Sequence, residues 1–227
     1  MLRFDIITIF PKIFDSYFKE SILERAQKRG LICVKTHNVR DFAKDKHGTT
    51  DNKPYGGGAG MVMMAGPILR MFNSIPNKKK FATIIFSAKG KQFNQKAALD
   101  LSKYEQIILI SSRYEGIDER VRLALKAKEV SIGPYVLTDG DVAAMVLVSA
   151  VSRLVPGVIK LESLKEESHW NLLLKNEATG KCLEYPHYTR PEVLVYKGKK
   201  YRVPKILLSG NHKKIEEWRR THQKTIE

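Results

Sequence analysis

Residues Ile107–Met145 read IILISSRYEGIDERVRLALKAKEVSIGPYVLTDGDVAAM. Two apolar runs in this stretch, Ile107–Ile110 and Val130–Ile132, read as buried strands. Each leads directly into a loop. Ser111-Ser112-Arg113-Tyr114-Glu115-Gly116 follows the first run, and Gly133-Pro134-Tyr135-Val136-Leu137-Thr138-Asp139-Gly140 follows the second. In an open α/β sheet, ligands bind where loops leave the carboxyl ends of strands. Two such loops in succession predict one small-molecule pocket walled from two sides. Ordinary β–α connections account for the glycines. They do not require Arg113, Glu115 or the tyrosines at 114 and 135.

The flanking chain supports the same architecture. Leu2–Phe10 reads as a central strand stopped by Pro11, and residues 13–29 as a helix with Gly30 as its C-terminal cap. Ile32–Thr36 is a second strand. Further on, the pattern predicts a helix over Pro67–Ile75, a strand over Phe81–Phe86 and a helix over Asn94–Leu101. A strand over Gln106–Ile110, a helix over Asp118–Leu125 and a strand over Lys128–Ile132 follow. Asp141–Leu154 is a long apolar helix with Asp141 as cap. Strands alternating with helices predict an α/β fold with a mostly parallel sheet. After Pro156-Gly157 the pattern changes. Lys160–Lys175 is charged and weakly periodic, like a linker. Pro204–Gln223 holds a short apolar run, a Gly-Asn turn and a basic amphipathic helix bearing Trp218, Arg219 and Arg220. A second, smaller domain is expected from about residue 170 onward.

Composition narrows the function classes. No apolar run reaches the length of a transmembrane helix. The start, Met1-Leu2-Arg3-Phe4-Asp5, does not resemble a signal peptide, because Asp5 interrupts the apolar run. Cys33 and Cys182 are the only cysteines and lie far apart, so a reducing, cytoplasmic compartment is expected. The net charge of +16 points to a polyanion, most simply a nucleic acid. That charge is spread: residues 1–158 hold 25 basic and 15 acidic side chains, so no basic tail carries it.

Residues 38–66 lack periodicity, and a loop of this length inside a domain is usually functional or disordered. Within it, Tyr55-Gly56-Gly57-Gly58-Ala59-Gly60 has the glycine density of a phosphate cradle. It lacks the Lys-Ser/Thr of a P-loop and follows no strand, so a cover that approaches a ligand closely fits better. Asp118 and Glu119 suit a helix start. Glu115 lies in the loop itself and is the better candidate for binding a cationic ligand. The six histidines show no metal-ligand spacing, and no structural zinc is expected. No nucleophile-elbow motif is present.

Six motifs occur in order: Pro54–Met61, Arg113–Arg120, Ser131–Leu137, Val151-Ser152-Arg153, Pro186–Pro191 and Leu207–His212. With them the chain closely resembles the bacterial tRNA (guanine-N1)-methyltransferase family, from residue 1 to about 220. The resemblance implies an α/β domain of the SPOUT class, with a deep C-terminal trefoil knot and a small helical C-terminal domain. It implies a knotted cofactor-binding domain over 1–158, a linker over 159–170 and a tRNA-binding domain over 171–227. It further implies a homodimer with the active site between subunits, S-adenosylmethionine as cofactor, and tRNA as partner. The methyl acceptor would be N1 of the guanosine just 3′ of the anticodon. A magnesium requirement is possible for such an enzyme, but no residue pattern shows one.

By resemblance, three loops meet the cofactor. The first comprises Ile85, Phe86, Ser87 and Ala88, and the second Ser112, Tyr114, Glu115 and Gly116. The third comprises Ile132, Gly133, Tyr135, Val136, Leu137, Asp139 and Gly140, with Ala143 beyond it. Tyr55, Gly56, Gly57, Gly58, His187, Arg190 and His212 would contact the tRNA. The catalytic pair would be Glu167 and Arg153. Their chemistry can be argued independently. Guanine N1 is a poor nucleophile while it keeps its proton, so a carboxylate general base is the natural device. Proton loss leaves negative charge on O6, which an arginine stabilises.

Three departures from the family pattern stand out. The family usually places an Asp as base in an Asp-Ser-Phe context, where this chain has Glu167-Ser168-His169. The stretch from Glu167 to Pro186 is also longer than usual, which leaves Glu166 and Glu177 as alternative bases. The family's Gly-Gly is Asp139-Gly140 here, and a later Pro is Ala143. Relatives usually carry another helical segment beyond the position of Glu227. The alternative expectation from these departures is a knotted RNA-binding protein with weakened or lost catalysis. A dinucleotide-binding oxidoreductase would rest on β–α alternation alone, without the Gly-x-Gly-x-x-Gly it needs.

Overall fold

The computed structural model describes residues 1–165 and 185–222 and divides the chain into two compact units, Met1–Lys160 and Leu161–Glu227. The first unit is a five-stranded, all-parallel sheet covered on both faces by helices. Its strands are β1 (Leu2–Thr8), β2 (Ile32–Asn38), β5 (Phe81–Gln92), β6 (Gln106–Ile110) and β7 (Lys128–Ser131), in the order β2-β1-β6-β5-β7. A two-residue pair, β3 (Asp51–Asn52) and β4 (Val62–Met63), lies outside this sheet.

The central strand shows why the sheet is buried on both sides. Side chains of β6 alternate, so Ile107 and Leu109 enter one hydrophobic cluster while Ile108 and Ile110 enter the other. The first cluster contains Phe4, Ile6, Ala98, Ala144, Leu147, Val148 and Val151, and so packs α4 (Gln95–Ser102) and α6 (Gly140–Arg153) on that face. The second contains Ile68, Met71, Phe72 and Val121, from α3 (Ala65–Ser74) and α5 (Glu119–Leu125). Both clusters include residues of β5 and β6, and Val130 of β7 packs against the first, so the following loops leave from a packed sheet.

Several boundaries differ from the sequence expectation. The helix expected over 13–29 is broken into a 3-10 turn, Pro11–Phe14, and two helices, α1 (Asp15–Phe18) and α2 (Ser21–Lys28). Ser21 adopts a positive φ of 52° at the break. Strand β5 continues past Phe86 to Gln92, with its pairing to β7 interrupted between Phe86 and Lys91. This bulge turns the backbone out of the sheet edge. A Cβ at Gly90 would lie 2.6 Å from the Val130 nitrogen, so glycine lets β5 close back onto β7. The N-cap of α6 is Asp139, not Asp141. Its side chain accepts hydrogen bonds from the Asp141 and Val142 backbone nitrogens, whereas Asp141 is fully buried.

In the second unit, a short helix (Leu161–Lys165) opens the stretch expected as a linker. An antiparallel hairpin pairs Val193–Tyr196 with Lys199–Arg202, which the sequence reading passes over. Its turn residues, Lys197 and Gly198, both have positive φ, as a two-residue turn matched to strand twist requires. Helices Lys205–Leu208 and His212–Thr221 follow, the latter capped by Asn211. Trp218 stacks on His222 and meets Tyr188 edge-on, while Arg219 lies over the ring of Tyr185.

Candidate functional site

Three loops converge beyond the carboxyl edge of the first unit's sheet and enclose a cavity of about 490 Å³. That volume falls within the range of roughly 300–1,000 Å³ typical of small-molecule sites. The β5 bulge supplies Ile85, Phe86, Ser87 and Ala88. The loop after β6 supplies Ser112, Tyr114, Glu115 and Gly116. The loop after β7 and the start of α6 supply Ile132, Tyr135, Val136, Leu137, Asp139, Gly140 and Ala143. Of the positions expected around the cofactor, all but Gly133 line this cavity. Gly133 instead makes room for the Tyr135 ring, with which any Cβ would clash, and the Tyr135 hydroxyl donates to the Ile132 carbonyl at 3.2 Å.

The walls are tied to one another. The Ser112 hydroxyl donates to the Phe86 carbonyl at 3.2 Å, joining the first loop to the second. The Gly140 backbone nitrogen donates to the Ser112 carbonyl at 2.8 Å, joining the second to the third. This contact demands glycine, because a Cβ at 140 would lie 2.7 Å from the Ser112 backbone nitrogen. Gly140→Ala is therefore expected to push the loops apart. If the cavity holds the cofactor that the resemblance implies, affinity for S-adenosylmethionine, read by calorimetry, should fall tenfold or more, about 1.4 kcal/mol.

The glycine-rich segment does not line the cavity but packs against the second loop. The Glu115 nitrogen donates to the Met61 carbonyl, the Met63 nitrogen to the Gly116 carbonyl, and the Asp118 nitrogen to the Met63 carbonyl, at 2.9–3.0 Å. Gly60, at φ +74°, allows this approach, since a Cβ there would lie 2.6 Å from a Glu115 carboxylate oxygen. Tyr55 and Gly56–Gly58 lie farther out. Tyr55 is 99% exposed, the three glycines all have positive φ, and none of the four lines the cavity.

Charge at the rim is mostly spoken for. Asp118 caps α5 and pairs with Arg120, whose hydrogen bonds hold its carboxyl below the ordinary range. Arg122 does the same for Glu119. Glu115 lines the cavity with no side-chain hydrogen bond or ion pair of its own among the described residues. Arg113 is bound to Asp141. Sequence reasoning missed Lys89, Arg122 and Glu129, which line the outer rim and form one loose chain of ion pairs at 3.8 Å. Lys89 sits in the bulge, which has no strand or turn signature.

Of the other expected site residues, Arg153 belongs to the first unit and does not line this cavity. Arg153 ends α6, ten residues beyond Ala143, or about 15 Å along the helix axis. Glu166, Glu167 and Glu177 lie outside the described residues. His187, Arg190 and His212 belong to the second unit. His187 lies 4.7 Å from the Tyr185 ring, Arg190 precedes a cis proline, and His212 opens the last helix. Among the described residues no cluster of His, Cys, Asp and Glu suits a metal ion, and no helix is long and apolar enough to cross a membrane.

Comparison with known proteins gives a consistent result. The family model described as tRNA (Guanine-1)-methyltransferase TrmD matches residues 2–226. A tRNA (guanine-N(1)-)-methyltransferase of Thermomicrobium roseum is 52% identical over 221 residues, covering 96% of this chain and 78% of that protein. The enzyme of the same name from Carboxydothermus hydrogenoformans is 48% identical, over 96% of this chain and 81% of its own length. That of Clostridioides difficile is 47% identical, with 96% and 91% covered.

Proposed function

Because the chain belongs to the tRNA (guanine-1)-methyltransferase family, we propose that its three-loop cavity binds S-adenosylmethionine for methylation of guanosine N1 in tRNA, at the position 3′ of the anticodon. The carrying observation is the convergence of loops from 85–88, 112–116 and 132–140 on one cavity. Its lining fits the cofactor. Ile85, Phe86, Ile132, Val136, Leu137 and Ala143 offer apolar surface for an adenine ring, and Glu115 a carboxylate for a cationic group. In this reading Ile107–Met145 is the knotted part of the chain, which the Gly140–Ser112 contact supports.

When bound, the cofactor would supply a methyl group carried on a sulfonium, for transfer to guanine N1. The chain supplies the rest. A linker carboxylate, Glu167, removes the N1 proton, and Arg153 stabilises the charge that develops on O6. Lys and Arg side chains carry the positive field that holds tRNA, with Tyr55, Gly56–Gly58, His187, Arg190 and His212 as contacts.

The active form in this reading is a homodimer. Val142, Val146, Ser149 and Arg153 follow one another at helical spacing along α6. Val142 and Val146 are exposed, as are Phe10, Ile13 and Tyr17, and the Tyr17 hydroxyl bonds to Ser149. An exposed apolar stripe of this kind suits a self-complementary two-fold interface. Antiparallel pairing of two α6 helices would carry Arg153 of one copy toward the cavity of the other.

Calorimetry with S-adenosylmethionine or its demethylated product is expected to show binding without tRNA. Single-turnover transfer to unmodified tRNA should then give N1-methylguanosine. No binding at millimolar ligand would remove the assignment of the cavity. Binding without transfer would favour a chain that has kept the cofactor pocket and lost catalysis.

A further inference from the structure

We propose that Arg113 and Asp141 are a positioning pair that sets the separation and tilt of two cavity walls, so that cofactor affinity depends on a carboxylate outside the cavity. The inference rests on the assignment of the cavity to the cofactor. Arg113 lies in the loop after β6 and lines the cavity. Asp141 lies in the first turn of α6, is fully buried and does not line it. Arg113 Nε and Nη2 donate to Asp141 Oδ2 at 3.2 and 2.5 Å. The other oxygen, Oδ1, accepts from the Thr8 hydroxyl at 2.8 Å. Thr8 in turn accepts from the Phe10 nitrogen, and the Phe10 ring lies under the Arg113 guanidinium at 4.6 Å. The guanidinium is thus held by a carboxylate, a ring face and, at 3.5 Å, Asp139.

A buried ion pair is often only a fold contact. The placement of this one argues for more. The same two walls are already joined by the Gly140–Ser112 backbone bond. One hydrogen bond is a hinge that fixes distance but not angle. A second attachment, from the adjacent residues Arg113 and Asp141, removes the remaining rotation. Tyr114, next in the chain, is held at φ +58°. A non-glycine residue keeps that conformation only where its surroundings impose it. Here the Arg113–Asp141 pair holds one side of Tyr114, and the Glu115–Met61 backbone bond holds the other. Releasing the pair lets the loop relax toward ordinary backbone geometry and reshapes the cavity without touching any atom that reacts.

The test compares Asp141→Asn, Arg113→Lys and Thr8→Val with wild type, in the full chain. Asp141→Asn keeps shape and loses the charge-assisted bonds, so affinity for S-adenosylmethionine should fall about tenfold or more. KM for the cofactor should rise by a similar factor, with kcat at saturating cofactor and tRNA affinity nearly unchanged. Arg113→Lys keeps the charge but not the planar fork, and should show an intermediate loss. Thr8→Val should show a smaller one. If wild type itself fails to bind the cofactor, the assignment of the cavity falls. If wild type binds and folded Asp141→Asn and Arg113→Lys bind within twofold of it, the positioning role is overturned. A parallel loss of tRNA affinity, or of kcat alone, would also overturn it. Should Asp141→Asn fail to fold, Thr8→Val, which like Asp141 lies outside the cavity, decides: affinity equal to wild type would overturn the proposal.

Discussion

Glu167→Gln is expected to lower single-turnover methyl transfer by about two to four orders of magnitude, the usual contribution of a positioned base. Glutamine keeps the shape and most hydrogen bonding of the side chain but cannot take the N1 proton. Affinities for cofactor and tRNA should therefore stay near wild type, placing the loss in the chemical step. The residue type makes the prediction sharper. The family usually has aspartate here, and glutamate sets the carboxylate about 1.5 Å farther out, one carbon–carbon bond. A misplacement of that size is enough to cost rate. Glu167→Asp should therefore remain active or gain activity. Glu166→Gln and Glu177→Gln are the controls. A large loss in either one, with Glu167→Gln near wild type, would move the base. No loss in any of the three would place the base elsewhere.

The parts of the fold that could be read in the sequence are those where one local signal decides the outcome. Gln106–Ile110 is a strand in both, because an unbroken apolar run between turn residues has few alternatives. Two of the cavity's loops, 111–116 and 133–140, were legible for the same reason: they follow such strands and carry side chains that turns do not need, whereas 85–88 came only with the family resemblance. The β5 bulge was not legible beyond Phe86. Ser87-Ala88-Lys89-Gly90-Lys91 has no strand pattern, and its extended form comes from pairing with β7. The cap of α6 was misplaced because Asp139 and Asp141 are equally good caps by residue type. Only the long-range contacts of Asp141, to Thr8 and Arg113, show that it is the buried one. The break before Ser21 carries neither glycine nor proline. The C-terminal hairpin turns on Lys197-Gly198, a weaker signal than the Asn-Gly or Asp-Gly that such turns favour.

Arg153→Ala should cost about two to three orders of magnitude in methyl transfer, the loss typical of removing one donor to a developing oxyanion. The more informative experiment places this lesion in one chain of a mixed dimer. Arg153 lies about 15 Å along α6 from Ala143 of its own chain, on the stripe that carries Val142 and Val146. If two copies pair along that stripe, each cavity is completed by the partner subunit. Mixing Arg153→Ala chains with Gly140→Ala chains then creates one intact site per mixed dimer. That site has the sound cavity of the first chain and the arginine of the second. With random reassortment half the dimers are mixed, so activity should recover to about one quarter of wild type. Assayed at cofactor well below the wild-type KM, each variant alone should stay near its own low level, about a tenth or less for Gly140→Ala. If Arg153 instead served the cavity of its own chain, both sites of every mixed dimer would carry a lesion, and mixing would restore nothing. Light scattering of the wild type should show a particle near twice 25.9 kDa. A fully active monomer would exclude the shared site.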